Sequence, residues 1–115
     1  MATVRIDGKS LTVRLSAIEK TAGLLRDIEV PLHAVSAVAV EPDGMSAVRG
    51  LRAPGLAIPG RRKIGTWRGR GTKRMVSVRA GQPAIRLTLT GQRHDELLLG
   101  HDDPTALASR ISSQI

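Results

Sequence analysis

This chain has no cysteine, tyrosine or phenylalanine, and Trp67 is its single aromatic residue. Without cysteine there are no disulfides, no thiolate nucleophile and no thiolate zinc site; nothing points to an oxidising compartment, and a cytoplasmic setting is the expectation. The shortage of aromatics leaves a core of Val, Leu, Ile and Ala, a composition that leans towards β-sheet. It also removes most of the stacking platforms with which single-strand nucleic-acid binders hold successive bases. Long apolar runs are missing too. The longest, around Val35 to Val40, is a strand in length and far short of the roughly 20 residues of a membrane span. Charges at Asp7, Lys9, Arg14, Glu19 and Arg26 break up the region where a leader peptide would need continuity. The expectation is a soluble protein with no transmembrane segment, folded as one domain over residues 1–115.

Acids are absent between Gly44 and His94. That segment holds twelve of the eighteen Lys and Arg residues, whereas the rest of the chain has six bases against ten acids, within a net charge of +8. The asymmetry suggests an anionic partner: an acidic protein surface, anionic lipid or nucleic acid. A second reading stands beside it. Fourteen arginines against four lysines, among many Ala, Gly and Val, is what a GC-rich coding sequence writes onto any solvated face. The charge is densest from Arg61 to Arg74, RRKIGTWRGRGTKR, where seven of fourteen residues are basic.

Periodicity supplies the elements. Thr3–Asp7 and Leu11–Leu15 alternate apolar and polar residues around Gly8 and Lys9, as a hairpin does. Ser16 followed by Glu19 has the spacing of a capping box, which predicts a short helix from Ala17 to about Leu24, stopped near Gly23. Strands are predicted at 27–30 and 35–40. From Glu41 to Gly60 the prolines and glycines read as a long loop. Strands at about 61–69, 73–80, 84–90 and 95–99, joined by short turns, read as an antiparallel meander. Asp102 or Asp103 as cap before Pro104, with Leu107, Ile111 and Ile115 at fourfold spacing, predicts a C-terminal amphipathic helix packed on the sheets.

Paired strands, a meander and one C-terminal helix resemble the plan of a pleckstrin-homology-like (PH-like) domain. The wording IEVPLHAVSAVAVEPD, GLRAPGLAIPG, GTWRGRG and LLLGHDDPTALASRI looks like the small bacterial PH-like domains of unknown function, over roughly residues 10 to 112. The resemblance implies a mainly β, antiparallel barrel or sandwich of seven to eight strands with one C-terminal helix and a short helix after the first hairpin. It implies no catalytic residues and no cofactor. Eukaryotic PH domains that bind phosphoinositides resemble one another in a basic pattern on the first hairpin. Here that hairpin offers only Lys9 and Arg14, while Lys63, Arg68 and Arg70 match the spacing on a later one.

Other chemistries fail on spacing. His94-Asp95 and His101-Asp102-Asp103 carry imidazole and carboxylate, but positions seven apart on a strand face opposite ways, so both histidines read as surface turn residues and not metal ligands. His33 stands alone. No G-x-S-x-G is present for a hydrolase and no G-x-x-x-x-G-K-[ST] for a phosphate loop. A groove-reading helix is missing as well.

A three-residue turn at Arg70-Gly71-Thr72 would set Trp67 opposite Met75 on an outer face, together with Lys63, Lys73 and Arg79. The candidate binding surface is therefore Arg61, Arg62, Lys63, Trp67, Arg68, Arg70, Lys73, Arg74, Met75 and Arg79. Its functional reading is a Trp/Met anchor ringed by charge; its bland one is that a loop or the first helix covers Trp67. The expected role is a non-catalytic binding or assembly module for an unknown protein or acidic partner, with peripheral binding of anionic lipid or nucleic acid through the 61–74 hairpin as the alternative. Exposed strand edges would also allow pairing between copies.

Overall fold

The computed structural model describes residues 2–114 and shows a mainly β, sandwich-like protein. Strands β1 (Thr3–Asp7), β2 (Ser10–Arg14) and β3 (Ile28–Pro31) make a small antiparallel sheet. Helix α1 (Ala17–Ala22) lies between β2 and β3. A 3-10 turn, Leu32–Ala34, leads into β4 (Val35–Glu41), β5 (Leu51–Ile58), β6 (Arg62–Gly69), β7 (Thr72–Arg79), β8 (Ala84–Leu89) and β9 (Glu96–Gly100), and helix α2 (Pro104–Ser112) follows. The larger sheet has six strands in the order β4-β8-β9-β7-β6-β5, and among the described residues no ladder closes the two sheets into a barrel.

Both helices start where local chemistry places them. The Ser16 hydroxyl accepts from the Glu19 N–H and the Glu19 carboxylate accepts from the Ser16 N–H at 2.9 Å, a reciprocal capping box. At α2, Asp103 accepts from the Ala106 N–H at 3.2 Å and Pro104 takes the first helical position. Leu107 and Ile111 are buried in the main core; Ile115, expected on the same stripe, lies outside the described residues.

Three expectations change. The 41–60 stretch is not loop throughout: Leu51–Ile58 is an eight-residue edge strand, which raises the strand number to nine among the described residues. Pro54 is tolerated there because an edge strand has one unpaired side. Gly55 and Gly65 pair across β5 and β6 so closely that a Cβ on Gly65 would stand 2.5 Å from the Gly55 Cα and from the Pro54 carbonyl oxygen.

The last four strands are not a simple meander either. β9 inserts between β7 and β8, parallel to the first and antiparallel to the second. The connection Ala80–Pro83 therefore spans two strand spacings, about 10 Å. Leu97, Leu98 and Leu99 are all buried, as in a central strand covered on both faces.

The third change is register. Arg70 (φ 52°) and Gly71 (φ 76°) form a two-residue turn, pairing Gly69 with Thr72 and Trp67 with Arg74. Two positive φ values match the twist of the strands, which a three-residue loop would not need. This one-residue slip reverses the expected pairing of every residue on β7.

One face of the large sheet packs on the small sheet and both helices, with Ile64, Met75, Ile85, Leu87, Leu97 and Leu99 in the main core. The other face forms a second cluster around Trp67, Val76, Val78, Ala84 and Leu98. It is covered by the 44–48 segment, where Ala47 is buried and Met45 and Val48 pack alongside. No helix among the described residues is long and apolar enough to cross a membrane.

Candidate functional site

The register divides the ten predicted surface residues. Trp67 is only 4% exposed and Met75 is fully buried, on opposite faces of the sheet, so the expected Trp/Met anchor does not exist. Lys63 shares a face with Trp67, whereas Lys73 and Arg79 lie on the face of Met75. Arg74 is half-buried opposite Trp67, with Nε 2.8 Å from Glu96 Oε2. Glu96 also pairs with Arg86 at 2.7 Å, and Arg86 reaches Glu41 at 2.9 Å and the Ala47 carbonyl at 2.7 Å. Hydrogen bonding to both carboxylates holds the Arg86 guanidinium charged against its burial. This network pins the covering segment; Arg74 is structural. Arg61, Arg70 and Arg79 are exposed, and Arg62 and Lys63 are half-buried.

What remains of the basic stretch is Arg68 and Lys73, directly opposite one another at the turn end of β6 and β7. They line a cleft of about 330 Å³ together with Arg26, Arg93, His94, Thr66, Pro54 and the Leu24–Ile28 connection. Arg26 comes from the chain between α1 and β3, and Arg93 and His94 from the turn before β9. None of the four cations makes a hydrogen bond or ion pair among the described residues. The nearby acids are already engaged: Asp27 accepts from the Leu15 N–H at 2.7 Å and pairs with Lys20 at 3.3 Å. Asp95 accepts from the Lys73 backbone N–H at 2.8 Å.

The electrostatics record this crowding. Lys73 is held below the ordinary lysine range by burial and then by Arg93 and Arg68. His94, 9% exposed, is held down at about 4, first by burial and then by Lys73 and Arg93. It is thus a buried histidine and not the surface turn residue expected; β9 carries it inward. His33 is exposed, and His101 accepts a hydrogen bond from the Asp103 N–H at 2.9 Å. Among the described residues no three His, Asp or Glu side chains gather as a metal site.

The backbone beside the cleft is unusual. Gly23 ends α1 in close contact with Ile64, where a Cβ would meet Ile64 Cγ2 at 2.6 Å, so the positive φ of 52° falls on Leu24. A leucine in the left-handed region is strained. It is 68% exposed, on the rim of the cleft.

Sequence reasoning found Arg68 and Lys73 and missed Arg26, Arg93, Thr66 and the burial of His94. The Leu97–Leu99 run was the available signal, since a continuous apolar strand belongs in the sheet centre and draws the preceding turn inward. Fold and cleft together define a small two-sheet β protein with a basic crevice at one end of its hairpin. No family model, curated protein or solved structure matches the chain.

Proposed function

We propose that the chain is a non-catalytic, PH-like binding or assembly module whose partner presents an anionic group to the cleft. The observation that carries this is the cleft itself: Arg26, Arg68, Lys73 and Arg93 converge on it, and the acid that lines it, Asp27, is engaged by the Leu15 N–H and Lys20. Like charges held together cost free energy that an anion would offset. The buried carboxylate and hydroxyl that elsewhere suggest catalysis, Glu19 and Ser77, are bonded to one another at the start of α1. A second reading is peripheral binding of anionic lipid or nucleic acid by the exposed Arg61, Arg70 and Arg79 of the 61–79 hairpin.

Titration with an oligonucleotide and with anionic vesicles at two salt concentrations separates the two readings. Binding lost in Arg61→Ala/Arg70→Ala/Arg79→Ala supports the hairpin surface. Binding lost in Arg68→Ala/Arg93→Ala supports the cleft. Absence of salt-sensitive binding to any anion overturns both.

A further inference from the structure

Thr66 and Arg68 stand two residues apart on one face of β6, and Lys73 faces Arg68 from β7. Thr66 and His94 are both buried, both line the cleft, and neither side chain has a hydrogen-bond partner among the described residues. With three guanidinium groups and an ammonium they make a donor-rich lining whose carboxylate, Asp27, is engaged by the Leu15 N–H and Lys20.

We propose that this cleft is a binding site for a phosphate monoester group, held by Arg26, Arg68, Lys73 and Arg93 with Thr66 and His94 donating hydrogen bonds from below. The inference rests on the reading of the chain as an anion-binding module and narrows it to one ligand chemistry. Arginine forks fit tetrahedral oxyanions in bidentate fashion. A phosphate dianion offsets more of the clustered charge than a single carboxylate, and its several acceptor oxygens suit this many donors. A cleft of about 330 Å³ takes a small phosphorylated molecule or a headgroup, not a helix or strand.

A proton accompanies binding. The charged groups facing His94 are Lys73 from β7, Arg68 from β6, Arg26 and Asp27 from the α1–β3 connection, Glu29 from β3, and Arg93 and Asp95 beside it. Burial first, then Lys73 and Arg93, keeps the imidazole neutral at pH 7. A dianion among the cations favours the imidazolium, so binding of an anion whose charge stays fixed takes up a proton and strengthens as pH falls from 7 towards 5, whereas a phosphate monoester itself gains a proton at about pH 6. Asp27, held low chiefly by the Leu15 N–H, stays ionised throughout that window.

The test is calorimetric titration of the full chain with inorganic phosphate, glycerol phosphate and sulfate, whose charge is constant over this range. Sedimentation with vesicles containing phosphatidate, against vesicles of phosphatidylglycerol at equal charge, forms the second arm. Lys73→Ala and Arg93→Ala should each weaken binding about tenfold or more, while Arg61→Ala and Arg79→Ala should leave it within about twofold. Sulfate affinity should rise on acidification in the wild type and lose that dependence in His94→Gln. Soluble esters bound in solution identify a small-molecule ligand; preference for phosphatidate vesicles alone identifies a headgroup, and both keep the phosphate assignment. Equal loss in the cleft variants and in Arg61→Ala and Arg79→Ala, or no preference for phosphate-bearing probes, overturns it while leaving a general anion-binding surface standing. Failure of every anion to bind takes the functional reading with it. Circular dichroism of each variant confirms that a loss is not unfolding.

Discussion

Replacing Trp67 by alanine separates a buried tryptophan from a surface anchor. Trp67 is 4% exposed, in contact with the cluster of Val76, Val78, Ala84 and Leu98 and covered by Met45, Ala47 and Val48. A buried indole removes roughly 150–250 Å² from water, about 4–6 kcal/mol at 25 cal/mol per Å². Measured aromatic-to-alanine losses of about 3–5 kcal/mol are the safer figure, and the lower end applies if the 44–48 segment settles into the space. For a domain with an ordinary stability of about 5–15 kcal/mol, such a loss is a large fraction. The chain has no other aromatic fluorophore, so its emission reports this one site. The wild type should emit at shorter wavelength than free tryptophan in water and resist acrylamide quenching until urea unfolds it. Trp67→Ala, followed by circular dichroism, should lower the free energy of unfolding in urea by the amount above. Water-like emission in the native protein, or a loss below about 1 kcal/mol, refutes the covered face and restores the anchor.

Further outcomes follow from other contacts. Glu19 is fully buried; burial alone would raise its carboxyl, but hydrogen bonds from the Ser77 hydroxyl and from Ser16 hold it below the ordinary range. Its contribution to stability is therefore full above the unfolded value and lost as pH falls through the lower folded one, and Glu19→Ala should cost about 2–4 kcal/mol at pH 7 in urea denaturation. His94 has the opposite sense: with a folded value of about 4, it charges more readily in the unfolded chain, so stability falls as pH drops below about 6.5. The loss approaches about 3 kcal/mol at pH 4, and His94→Gln should flatten that part of the profile. Gly65→Ala places a Cβ 2.5 Å from the Gly55 Cα, and hydrogen exchange should show the 51–58 strand released. Leu24→Gly relieves a left-handed leucine and should raise stability by about 0.5 kcal/mol without touching the core, measured as a higher melting temperature.

What the sequence determined by itself is what neighbours in the chain decide. Alternation set the strands of both hairpins, Ser16 with Glu19 set the start of α1, and Asp103 with Pro104 set α2, because capping and period act within a few residues. The charge segregation around 44–94 and the candidacy of Arg68 and Lys73 were legible in the same way. Tertiary structure decided the rest. A two-residue turn in place of three exchanged which β7 residues share a face with Trp67, and no count along β6 alone reveals that. Alternation says which side chains share a face but not what covers it, so both faces of the large sheet proved buried, one beneath the 44–48 segment. The insertion of β9 drew His94 inward and brought Arg93 and Arg26 beside Arg68 and Lys73, from segments far apart in the chain. The basic hairpin was visible from the start; the cleft exists only where three separate connections meet.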